Sequence, residues 1–151
     1  MSRGADEVLG GTELLEAFRK TTIRPGGFSH AQHIEVAWHY LKAAPLLEAM
    51  GRFERDLARL VTALGAESKY HRTITIAYVL IVHERRAEAP DDETYEKFCI
   101  RNDDLFEDSR APLLRYYTEA ALSDPRARRE LVLPDRGIAA DREASMPGES
   151  A

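Results

Sequence analysis

Cysteine is almost absent from this chain. Cys99 is the only one, so no disulfide can close within it and a reducing compartment is its expected home. The run Glu96-Lys97-Phe98-Cys99-Ile100 offers one nearby cation, too little to stabilise a thiolate, and the residue reads as a buried, inert thiol. Long apolar runs are missing as well. The best stretch, Ile74 to Val82, is interrupted by Thr75 and falls far short of the ~18 residues that a membrane span needs. The segment from Met1 to Gly11 lacks the basic-then-apolar layout of a signal peptide, which makes the cytoplasm the expected location and leaves no role for a membrane. Nor is there an excess of positive charge. With 21 Lys and Arg against 26 Asp and Glu, the net charge is −5, and such a surface repels phosphate backbones and anionic lipids. Nucleic acid is therefore not the expected partner. The arginines between Arg126 and Arg129 lie close to acidic residues without interleaved aromatics, the pattern of a solvated helix face.

What remains is an ordinary globular balance. Of the 151 residues, 44% are hydrophobic and 31% charged, which suits one domain with a real core. The expected body is a single helical domain over residues 11–136, with residues 1–10 and 138–151 as flexible polar tails. Leu14, Leu15 and Phe18 form a short apolar face behind a Thr12 cap. Thr22 to Gly27 then breaks the helix. Ser29 and Gln32 have the spacing of a capping box, with Phe28 placed as the outer member of a hydrophobic staple, so a helix should start at His30 and run to about Ala43 before Pro45.

From Leu46 a stripe through Met50, Phe53, Leu57, Leu60 and Leu64 predicts a helix that Gly65 stops. The segment from Ser68 to Arg85 is rich in β-branched residues and would suit a strand. Its length without a turn residue predicts instead a helix buried on most sides. A cap at Asp91 or Asp92 should open another helix through Phe98 and Ile100, Leu113 to Leu122 a further one, and Ser123 should cap a last short one ending near Leu131. The expected architecture is all-α, a compact antiparallel bundle of about five to seven helices.

The concentrated chemistry is histidine. His30 and His33, three apart, point within about 60° of each other on a helix. His71 and Thr75, four apart, share a face of the later helix, next to Tyr70. Near a helix start the dipole disfavours an imidazolium, and a neutral imidazole is what a metal ligand or a general base requires. If the two faces oppose, His30, His33 and His71 meet, with Tyr70, Thr75 and Tyr40 as hydroxyl neighbours. Two uses are open. The three histidines could be ligands of zinc, iron or manganese with open positions, or acid–base groups working with Tyr70 and Thr75. Arg24, before Pro25-Gly26-Gly27, could hold a carboxylate of the substrate, with Tyr40 and Trp38 as further substrate contacts, although Trp38 on its own pattern reads as core. His39, four residues after Glu35, reads as an exposed ion pair. The rival reading is a non-catalytic binding or assembly protein, a homodimer among the options, whose histidines brace helix ends.

At these residues the chain resembles a family of small, uncharacterised bacterial helical proteins. They share Phe-x-His-x-x-His followed by Ala-Trp, then Tyr-His-x-Thr-x-Thr, then a Ser-x-x-x-Ala-Arg-like segment before Pro-Asp. Here these are Phe28 to His33, Ala37-Trp38, Tyr70 to Thr75, and Ser123 to Arg128 with Pro134-Asp135, the last departing in detail where Pro125 and Arg126 precede Ala127. The resemblance, over about residues 28–135, implies a shared His/Tyr/Thr pocket. Because some such relatives belong to specialised-metabolite pathways, it also implies an enzyme acting on a small molecule, such as an amine–aldehyde condensation or a ring-forming step.

Overall fold

The computed structural model describes residues 9–136, and among these there are nine α-helices and no strand. Four longer helices make the frame: α1 (Gly11–Lys20), α2 (His30–Ala43), α3 (Leu46–Ala63) and α4 (Arg72–Ala87). Five short ones follow: α5 (Tyr95–Arg101), α6 (Asp104–Glu107), α7 (Ala111–Leu114), α8 (Glu119–Ser123) and α9 (Pro125–Arg129). No helix among the described residues is long and apolar enough to cross a membrane. Of the expected tails, residues 1–8 and 137–151 lie outside the described residues. Leu9 and Gly10 belong to the body instead, since the Leu9 carbonyl accepts from the Gln32 side chain and Gly10 is the N-cap of α1.

The local signals at the start of α2 act as their chemistry dictates. Ser29 accepts from the Gln32 backbone N–H at 3.2 Å, and the Gln32 side chain accepts from the Ser29 N–H at 2.8 Å. Phe28 closes the staple on His33, with the ring centroids 6.2 Å apart. Helix α2 is central. It packs against α1, α3 and α4 and buries Ile34, Val36, Ala37, Trp38 and Leu41 around its girth. Helix α4 is likewise buried on most sides, through Thr73, Ile76, Tyr78, Val79 and Val82. Its β-branched residues are therefore accommodated by packing, which outweighs a propensity cost of a few tenths of a kcal/mol per residue.

Several caps differ from expectation. Helix α1 begins at Gly11, whose N–H donates to the Glu35 carboxylate at 2.6 Å, so a side chain from α2 does the work expected of Thr12. Thr94, not Asp91 or Asp92, caps α5, and Asp124, not Ser123, caps α9. The stretch from Leu113 to Leu122 divides at Tyr116–Thr118 because Thr118 starts a helix of its own, its hydroxyl accepting from Ala121 N–H. Helix α3 ends where Gly65 takes φ +64°.

Gly51 lies inside α3, and a Cβ built there meets nothing within 4 Å. Gly51→Ala should therefore stabilise the protein by about 1 kcal/mol. A thermal melt should show a rise of about 3–5 °C.

The short helices could not persist on their own, and side chains from the frame hold their backbone. His30 Nε2 donates to the Leu105 carbonyl and His71 Nε2 to the Leu122 carbonyl, each at 2.7 Å. Thr73 donates to the Glu130 carbonyl at 2.8 Å, and Tyr78 to the Ser109 carbonyl. Arg85 forks onto Asp104 at 2.8 and 2.9 Å and reaches the Asn102 side chain at 2.9 Å.

Candidate functional site

Between α2, α3 and the start of α4 lies a cavity of about 470 Å³. Its walls are mostly apolar, with Phe28, Leu57, Leu60, Val61, Leu64 and Ile74 contributing. The polar groups on it are His33, Tyr70, His71 and Thr75, with Lys69 on the exposed 3-10 turn Glu67–Lys69. A second hollow of about 260 Å³ adjoins it, lined by Ser29, His30, Tyr78, Ser109, Arg110 and Leu113. Phe28, His33 and Ile74 belong to the walls of both. The two motifs singled out in the sequence are therefore brought together, on opposite sides of one space.

The three histidines are not equivalent. His71 is the N-cap of α4: Nδ1 accepts from the Ile74 N–H at 3.1 Å while Nε2 donates to Leu122. Both ring nitrogens are engaged and the neutral tautomer is fixed by geometry. His30 uses Nε2–H on Leu105 and sets its ring against Tyr78, centroids 4.8 Å apart. His33 is different. It sits within the rings of Phe28, Phe53 and Tyr78, and its Nε2 is screened from solvent with no hydrogen-bond partner among the described residues.

Burial depresses the His33 pKa to about 4, the nearby His30 adds to the depression, and the backbone of Thr75 offsets it in part. His33 is thus a neutral imidazole at physiological pH. An orphaned buried nitrogen is rare enough in proteins to call for a partner from elsewhere.

Tyr70 supplies the acid side. The Glu54 carboxylate and the Thr75 hydroxyl both bear on its hydroxyl. Burial and Glu54 push its pKa up to about 12, so it stays protonated and can donate. Glu54 is pinned in turn by a bidentate fork from Arg72 at 2.6 and 2.9 Å. Glu54 and Arg72 were not among the expected site residues. They sit 18 positions apart on different helices, and on α3 Glu54 reads only as one polar position of an amphipathic stripe.

Of the two uses left open, the three-histidine metal centre is not assembled among the described residues. Two of the three proposed ligands give their Nε2 to carbonyls, His71 has no ring nitrogen left, and among the described residues no group of three His, Cys, Asp or Glu side chains could hold a metal ion. Three proposed substrate contacts also lie elsewhere. Tyr40 donates to Asp56 at 2.7 Å further along α2, beside Arg19, Arg52 and Arg55. Trp38 is core, ringed by Tyr95 and Phe98 and flanked by Lys42 and Arg86 at 5.1 and 5.5 Å. Arg24 is exposed and is not part of the cavity wall, although Pro25 and Gly26 are.

No family model, no curated protein and no solved structure matches this chain. The site must be read from its own residues. His39 pairs with Glu35 as expected, at 3.5 Å, but the two side chains are only 23% and 15% exposed, because Glu35 also caps α1 and His39 packs edge-on to Trp38. Cys99 is half-buried with its pKa raised by burial, so the thiol stays protonated and inert.

Proposed function

We propose that the protein is a metal-free acid–base enzyme acting at the carbonyl group of a small, mainly apolar molecule. The observation that carries this reading is His33, a residue of the cavity wall whose Nε2 has no partner among the described residues and comes within reach as substrate displaces the side chains that screen it, beside the protonated Tyr70 hydroxyl of the same wall. The apolar wall favours a ring-sized substrate body. Tyr70 turns its one hydroxyl proton from the Glu54 carboxylate to the carbonyl oxygen when substrate binds and stabilises negative charge as it develops there.

His33 then takes a proton from the reacting neighbour atom. In the empty cavity it is a weak base, since nothing offsets its charge. Negative charge growing on the substrate provides that offset, so its basicity rises along the reaction. Proton transfers of this kind serve carbonyl addition, amine–aldehyde condensation and ring closure. The motif resemblance favours specialised-metabolite chemistry as the setting. The rival reading, histidines as braces, describes His30 and His71 well. It leaves the buried Nε2 of His33 unexplained, since that atom has no hydrogen-bond partner among the described residues.

Acetophenone is a suitable probe, an apolar ring with one carbonyl. In ¹⁵N-histidine-labelled protein it should shift the His33 Nε2 resonance, with binding about ten-fold weaker in Tyr70→Phe, the loss expected for one hydrogen bond of ~1.4 kcal/mol. Acetophenone and its larger aryl-ketone homologues all leaving that resonance unmoved would overturn the proposal.

A further inference from the structure

The two hollows differ in chemistry as well as size. Apolar side chains dominate the larger, beside His33, Tyr70, His71, Thr75 and Lys69, whereas the smaller carries Ser29, His30, Ser109 and Arg110. We infer that the smaller hollow is a second binding compartment for a small carboxylate, placed so that its occupant and the carbonyl compound in the larger hollow meet at His33. This rests on the function proposed above and adds a co-substrate class to it.

Three observations support the inference. First, the partition is thin and made of side chains: Phe28, His33 and Ile74 are the residues common to both walls. Phe28 stands on the loop after Gly26, whose φ of +77° is left-handed, and Ile74 is only partly buried, so neither is locked in the deep core. Second, Arg110 has donors to give. Its side chain makes one hydrogen bond among the described residues, NH2 to Glu119 at 2.8 Å, out of the five N–H groups of a guanidinium.

Third, the acidic groups around this compartment are already answered. Asp108 accepts from the backbone N–H of Arg110 and Ala111 at 2.8 and 3.3 Å, and Asp104 is forked by Arg85. Arg110, which lines the hollow and pairs with Glu119 through one NH2, keeps its remaining N–H groups for an occupant, and the hydroxyls of Ser29 and Ser109 add neutral partners. A volume of about 260 Å³, little more than half that of the larger hollow, leaves room for a small carboxylate beside Arg110.

The test uses acetate and acetophenone with the full chain. Acetate alone should perturb the amide resonances of Ser109 and Arg110 and the His33 ring, and Arg110→Gln should weaken its binding at least five-fold while leaving acetophenone binding unchanged. Leu57→Trp, which fills the larger hollow, should abolish acetophenone binding and spare acetate. Both probes should bind together in the parent protein. Competition between them, or acetate binding indifferent to Arg110→Gln, would overturn the second compartment. Loss of the acetophenone response alone would instead count against the carbonyl reading and leave the acetate result standing.

Discussion

His33→Phe should abolish acid–base catalysis and yet give a more stable protein. A phenyl ring keeps the stacking with Phe28 and Phe53, at 6.2 and 5.2 Å in the parent, and removes a buried nitrogen that has no partner. Relief of that group is worth ~1 kcal/mol at neutral pH. The pH dependence is more diagnostic. The folded-state pKa of His33, about 4, lies below its ordinary value of 6.5. Between those values the unfolded chain binds more protons than the native one, so the parent loses stability as pH falls from about 6.5 to about 4 and the His33 contribution levels off below that. The loss from this one group is about 2 kcal/mol at pH 5 and roughly 3 kcal/mol at its limit.

Urea melts across that range should show a shallower fall for His33→Phe. Turnover of any carbonyl substrate should drop at least a hundred-fold, the usual worth of a general base. A variant less stable than the parent at pH 7, or one with an unchanged slope between pH 6.5 and 4, would show that the nitrogen is satisfied and that His33 is a structural residue.

The second large effect is expected at His71, in the opposite direction. His71→Ala removes the cap of α4, worth about 1 kcal/mol, and strips the Leu122 carbonyl of its donor, which costs about 1–3 kcal/mol. The sum is a destabilisation of about 2–4 kcal/mol, or on the order of 10 °C in Tm. His71→Asn separates the two parts. Its side-chain oxygen can accept from the Ile74 N–H and restore the cap, while it is too short to reach Leu122. About half the stability should return, with the cavity intact. If Asn and Ala prove equally damaging, the cap is not what His71 contributes. If neither variant loses stability, its role is chemical after all.

Periodicity and capping chemistry made the all-α class and the start of α2 legible, since both rest on neighbours within four residues. The pairing of Tyr70 and Thr75 with His33 was legible for the same reason, once two helix faces were assumed to oppose. The division of labour among the histidines was not. His30 and His71 are occupied by the carbonyls of Leu105 and Leu122, 75 and 51 positions away, and a backbone carbonyl leaves no mark in a sequence. Tyr40 was assigned to the site because it continues the His30–His33–Ala37 face, but ten residues of helix carry it about 15 Å along the axis, to Asp56 and a different hollow. The cap of α1 by Glu35 is of the same kind, a contact between helices that local pattern cannot announce.

The ties from His30, His71, Thr73 and Tyr78 to the carbonyls of the C-terminal third give the two compartments unequal durability. The apolar one is enclosed by α2, α3, α4 and the loops between them, whereas the polar one borrows Ser109, Arg110 and Leu113 from helices of a few residues each. Each tie reaches a different point of that third, and helices so short depend on them, so this segment should open at lower cost than the four-helix frame. Such an opening would dismantle the smaller hollow and spare most of the wall of the larger one. If the two hollows take the two reactants proposed for them, that difference would set the order in which they assemble.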